Sequence, residues 1–98
     1  MEIKKGKKYD QDKLRFDLIP IETEKALAEV LTFGAKKYGE NNWQLVENGE
    51  ARYVAALLRH LSEYRMGNKI DEESKLLHLS HAYACVTFLL YNELKETK

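Results

Sequence analysis

The sequence predicts an all-α protein: a small bundle of about three main helices with an extended N-terminal arm, completed by oligomerisation. Two observations carry this. Apolar residues recur at i, i+3, i+4 and i+7 in three separate stretches. No pair of alternating apolar runs is joined by a hairpin signal. At 98 residues the chain reads as one domain, with an arm over 1–20 and a helical core over 21–95. So short a domain buries only a modest core, and many such chains gain stability by self-association.

The elements follow in order. Residues 1–13 are polar and lack periodicity, as an arm should. "LRFDLIP" at 14–20 reads as a short extended piece that packs Leu14, Phe16, Leu18 and Ile19. Pro20 ends it and suits a helix start. The first helix is expected over Ile21–Tyr38, on Leu27, Val30, Leu31, Gly34 and Tyr38, with Gly39 as the stop. "ENNWQLVENG" at 40–49 is a loop. The second helix is expected over Glu50–Met66, capped by Asn48 and stopped by Gly67. Its stripe is Val54, Leu57, Leu58, Leu61 and Tyr64. After a turn at 67–71, Asp71 is the expected N-cap of a third helix over Glu72–Lys95. That helix is apolar on nearly all sides, so it should lie at the centre. Two seams run along it: Leu76, Leu79, Tyr83, Val86 and Leu90; and His78, His81, Cys85, Phe88 and Asn92.

Composition narrows the function classes. Hydrophobic residues are 44% and charged residues 33%, which fits a folded chain and neither a disordered nor a membrane one. Sixteen basic and sixteen acidic residues cancel, so no overall field favours nucleic acid or membrane. Basic residues do crowd the arm (Lys4, Lys5, Lys7, Lys8, Lys13 and Arg15), partly offset by Glu2, Asp10 and Asp12. A single cysteine, Cys85, suits a reducing cytoplasm. "MEIKKGKK" has no apolar segment after its lysines, so no secretory leader is expected. No apolar run reaches the length of a membrane span.

All three histidines fall in two related phrases, "HLSE" at 60–63 and "HLSH" at 78–81. Residues three apart share a helix face. His60 and Glu63 therefore project together from the second helix, and His78 and His81 from the third. A short connection makes these helices an antiparallel pair, so both pairs can face one gap. Imidazoles and a carboxylate in one space suit a divalent metal. They equally suit a hydrogen-bonded polar patch in the core. Cys85, one turn beyond His81, is either a further ligand or a small buried thiol. Glu73, five residues before His78, lies off the histidine face in an ideal helix. Lys8, Lys13, Arg15, Lys36, Lys37, Arg52 and Arg59 are candidates for phosphate contact. Trp43 either stacks on a base or covers the corner between the first two helices.

Four ordered blocks carry a family resemblance: "KYDQDKLRFDLIP" at 8–20, "VLTFGAKKYGENNW" at 30–43, "RYVAALLRHL" at 52–61 and "DEESKLLHLSHAYA" at 71–84. Together they resemble the phage and bacterial domain named for the N-terminal part of dATP/dGTP diphosphohydrolase. The resemblance implies hydrolysis of dATP and dGTP to monophosphate and pyrophosphate in phage nucleotide metabolism, in the host cytoplasm for a phage protein. The helical pattern is also similar to the all-α MazG-like nucleoside triphosphate pyrophosphatases, in which E-x-x-E and E-x-x-D pairs bind Mg²⁺ or Mn²⁺. His60-x-x-Glu63 and His78-x-x-His81 fall into that frame, and only Glu63 keeps the carboxylate. Histidines there shift preference toward Mn²⁺, Co²⁺ or Zn²⁺.

The resemblance thus implies a metal held by His60, Glu63, His78 and His81, with Glu63, His78 and His81 catalytic. Lys13, Arg15, Lys36 and Arg59 would clamp the phosphates of a nucleoside triphosphate substrate. Asn42 and Trp43 would meet the base. MazG-like sites form between subunits, so a homodimer or higher oligomer is implied. Two alternatives remain. One is a nucleotide-binding or regulatory module without chemistry. The other is a small nucleic-acid-binding protein using the lysine arm, which zero net charge disfavours.

Overall fold

A computed structural model describes residues 4–97. Residues 1–3 of the arm, Glu2 included, lie outside the described residues. Three α-helices make up the core: α1 over Ile21–Tyr38, α2 over Gly49–Arg65 and α3 over His78–Glu96. Short 3-10 turns occupy Phe16–Leu18 and Asn42–Leu45. The described residues contain no strand, only an isolated antiparallel bridge between Ile70 and Leu77. The expected all-α bundle is therefore present.

α1 has the expected bounds for the expected reasons. The Pro20 carbonyl accepts from the backbone of Thr23 and Glu24 and from the Thr23 hydroxyl. Glu22 and Glu24 sit in the first turn and Lys36 and Lys37 in the last, matching the helix dipole. Gly39, at φ 102°, closes the helix by donating to the Ala35 carbonyl. α2 begins and ends one residue earlier than expected. Asn48 stands at the cap position in a left-handed conformation (φ 57°), but its side chain makes no capping bond. Gly67, at φ 93°, closes the far end.

The third helix differs most from expectation: it begins at His78, six residues after Glu72. Asp71 caps a tight turn instead of the helix. Its Oδ2 accepts from the Ser74 amide at 2.9 Å and the Ser74 hydroxyl at 2.8 Å. Lys75 is left-handed at φ 63° and donates its amide to the Asp71 carbonyl. The Asp71 amide then pairs with the Leu76 carbonyl, and His78 N–H with the Lys69 carbonyl. These local bonds satisfy the backbone without a helix, which is how Asp and Ser commonly override helical propensity.

α3 lies between α1 and α2, as its apolar character predicted. Tyr53 packs on Phe88 while His60 packs on His78 and His81, so α2 and α3 are antiparallel. On the other side, Phe33 meets His81 edge-on. The chain leaving α1 reaches Trp43, which stacks on Phe88 and meets Tyr91 edge-on. α1 therefore runs in the same sense as α3, and its first half passes beyond the start of α3. Lys37 grips both carboxylate oxygens of Glu73, tying α1 to the 71–77 turn. The buried apolar residues among those described are few and mostly small: Val30, Ala82, Ala84 and Cys85.

The arm corrects a second expectation. Residues 14–20 do not pack as an extended piece. Phe16–Leu18 forms a 3-10 turn, helped by the Arg15–Asp17 ion pair at 2.7 Å. Leu14, Phe16 and Leu18 remain 82%, 73% and 67% exposed. With the arm projecting, the radius of gyration is 18.5 Å, against about 13 Å for a compact chain of this length.

Candidate metal centre

Three elements meet at one end of the α2–α3 contact. α2 supplies His60, the first turn of α3 supplies His78 and His81, and the capped turn supplies Asp71. His78 is 8% exposed and opens α3, anchored by its amide. Its Nδ1 lies 2.9 Å from Nδ1 of His60. The His60 and His81 rings stack with centroids 4.7 Å apart and planes 10° from parallel. His81 Nε2 lies 2.7 Å from the Ser74 hydroxyl and 3.7 Å from Asp71 Oδ2. One donor atom from each of His60, Asp71 and His78 falls within 4.8 Å of the others.

Burial favours the neutral form of His60 and His81. Burial, then the neighbouring His81 and His78, pushes His60 down from 6.5 to about 4. Burial also lowers His81, although the Asp71 charge opposes it. Burial by itself would raise Asp71, but bonds from the Ser74 amide and hydroxyl outweigh it and hold the carboxyl below its ordinary value. Near neutral pH the Asp71 carboxylate thus faces uncharged rings at His60 and His81. With Asp71 ionised, the Ser74 hydroxyl donates to it and accepts from Nε2–H of His81. That assignment, made from the network, leaves the His81 Nδ1 lone pair free.

His60, His78 and Asp71 could hold a divalent transition metal. Metals bind neutral imidazole, and burial favours that form at His60. Two imidazole nitrogens at about 2.1 Å from one ion stand about 3 Å apart at a right angle and about 3.4 Å apart at the tetrahedral angle. The separation of 2.9 Å between His60 and His78 matches the right-angled arrangement. The same 2.9 Å also suits a proton shared between the two nitrogens.

The remaining candidates are distributed unevenly. Glu63 lies outside the converging donor group and accepts a hydrogen bond from Asn68 at 2.7 Å. Burial raises the Cys85 thiol, and Cys85 is likewise outside that group. Lys36 borders a shallow groove of about 380 Å³ shared with Lys25, Thr32, Phe33 and Ser74. Ser74 and Phe33 connect that groove to His81. Arg59 is exposed on α2 beside His60, and Lys13 and Arg15 are exposed on the arm. Asn42 and Trp43 belong to the 3-10 turn at the opposite end of α3. Phe88, on which Trp43 stacks, is ten residues beyond His78, or about 15 Å along the helix. Trp43 therefore packs across the α2–α3 pair, with its carbonyl accepting from Tyr53 Oη at 3.0 Å.

Asp71 is an acidic group near the histidines for which sequence reasoning favoured capping, and its carboxylate converges with His60 and His78. Its signal was the Asp71-x-x-Ser74 spacing, which marks a side-chain-capped turn and so a break before the histidines.

Residues 3–98 match the family described as "dATP/dGTP diphosphohydrolase, N-terminal". Over 86 residues the chain is 35% identical to the dATP/dGTP diphosphohydrolase of Salmonella phage PMBT28. That stretch is 88% of this chain and 29% of the phage protein, so the chain spans less than a third of its relative. No solved structure matches.

Proposed function

Because the chain belongs to the dATP/dGTP diphosphohydrolase N-terminal family, we propose that it is a metal-dependent pyrophosphohydrolase of purine deoxynucleoside triphosphates. In this proposal a water oxygen bonds to the α-phosphorus, the bond to the bridging oxygen breaks, and monophosphate and pyrophosphate leave. The observation that carries it is the convergence of His60, His78 and Asp71 beside His81.

His60, His78 and Asp71 would hold the ion. A bound divalent ion supplies Lewis acidity and offsets phosphate charge. His81, with its Nε2 proton committed to Ser74, offers Nδ1 to accept the proton of the attacking water. Lys36 and Lys25 in the adjoining groove attract the polyphosphate. Glu63, one turn from His60, is the nearby α2 carboxylate, held by Asn68. The setting would be the cytoplasm of an infected host, as the phage relative suggests. Among the described residues no helix is long and apolar enough to cross a membrane.

A second proposal is a nucleotide-binding module that leaves chemistry to other parts of a longer enzyme. Two observations favour it. His60 and His78 can satisfy each other, and the chain spans only 29% of its phage relative. Calorimetric titration with dGTP and dATP, paired with a pyrophosphate assay in Mn²⁺, separates the two. Binding with pyrophosphate release supports the enzyme, and binding without release supports the module. Absence of both removes both.

A further inference from the structure

An open cleft of about 510 Å³ lies between α2 and the second half of α3, at the end opposite the histidines. Val54, Val86 and Leu90 give it apolar walls, and Glu50, Glu93 and Glu96 line it as acids. Among the described residues no lysine or arginine lines it. The arm has the complementary character. Phe16 and Leu18 stand exposed in their 3-10 turn. Lys4, Lys5, Lys7, Lys8, Lys13 and Arg15 outnumber Asp10, Asp12 and Asp17 around them.

We propose that the cleft receives the Phe16–Leu18 turn of a second copy of this chain, and that two copies exchange arms reciprocally. Apolar side chains would fill the cleft, and the arm's bases would face Glu50, Glu93 and Glu96. The arm cannot fill its own cleft. Phe16 is five residues before Ile21, a reach of at most about 18 Å. α1 runs in the same sense as α3, with Phe33 beside His81. Ile21 therefore lies about 25 Å, measured along the axes, short of the level of Val86. A second copy removes that restriction, and a reciprocal exchange closes as a two-fold dimer without growing into a chain. Sheltering these apolar surfaces also answers the small buried core. The inference does not depend on the nucleotide chemistry proposed above.

Sedimentation equilibrium tests it on the full chain. The unmodified protein should be dimeric, and Phe16→Glu with Leu18→Glu should weaken the dimer by at least about 100-fold. Both positions are exposed, so helical circular dichroism should not change. A crosslink gives a second readout in a Cys85→Ala background. Chains carrying Leu18→Cys, mixed with chains carrying Leu90→Cys, should form a disulfide-linked pair that neither forms alone. A monomer at all concentrations overturns the proposal. So does a dimer indifferent to the glutamates, which would place another surface at the interface, or a mixture that does not crosslink.

Discussion

Nδ1 of His60 and Nδ1 of His78 lie 2.9 Å apart across the α2–α3 contact. At that separation they either share a proton or bind one ion. Removing His78 should therefore affect affinity and stability together. His78→Ala is expected to lower Mn²⁺ affinity by at least about 100-fold, since even outer-shell changes cost about 10- to 100-fold. It should also cost about 1–2 kcal/mol of stability through the unpaired His60 nitrogen. Calorimetric Mn²⁺ titration and urea unfolding check the two effects.

The neutral His60 and His81 rings predict acid sensitivity. The His60 pKa of about 4 lies below its ordinary 6.5. Between those values the unfolded chain binds the proton more readily. The contribution of His60 is thus complete above pH 6.5 and is lost as pH falls through that window toward 4. His81, also lowered, adds in the same direction. With allowance for partial solvent screening of the ring, His60 alone should account for on the order of 1 kcal/mol. Unfolding free energies of wild type and His60→Asn across pH 7 to 4 should show a shallower pH slope in the variant. Parallel slopes would count against it.

Asp71 has two separable roles. Asp71→Asn keeps a side-chain oxygen to accept from Ser74, so the turn should survive with a loss below about 1 kcal/mol. The lost charge should still weaken Mn²⁺ binding. Asp71→Ala should weaken binding and also cost about 1–2 kcal/mol, because the Ser74 bonds disappear. Equal stability of the two variants would deny the capping role.

Trp43 distinguishes packing from base recognition. Its stacking on Phe88 and edge contact with Tyr91 predict a loss of about 2–4 kcal/mol for Trp43→Ala. Trp43→Phe should recover much of this. At about 15 Å along α3 from His78, the residue should have little influence on KM in a variant that remains folded. A tenfold rise in KM for Trp43→Phe would place the base there after all.

What was legible in the sequence separates along physical lines. α1 could be bounded because proline, dipole-matched charges and a left-handed glycine all agree. The α2–α3 pairing and the meeting of the three histidines followed from spacing alone. The start of α3 did not, because glutamates and leucines after Asp71 look helical while the Asp71–Ser74 bonds hold a turn. That turn brings Asp71 beside the cluster, where sequence reading had made it a helix cap. Glu63 was placed with His60 by spacing, yet its carboxylate is engaged by Asn68. The arm misled for another reason. Alternating apolar residues mark a surface meant for burial, but do not say against what.

The most direct test of the metal-centred enzyme is pyrophosphate release from dGTP and dATP in Mn²⁺, with wild type and His78→Ala assayed side by side. Wild type should release one pyrophosphate per monophosphate formed and stop when the metal is chelated, and His78→Ala should be slower by at least about 100-fold. Equal rates in the two proteins, or release that persists in excess chelator, would contradict a site built on His60, His78 and Asp71.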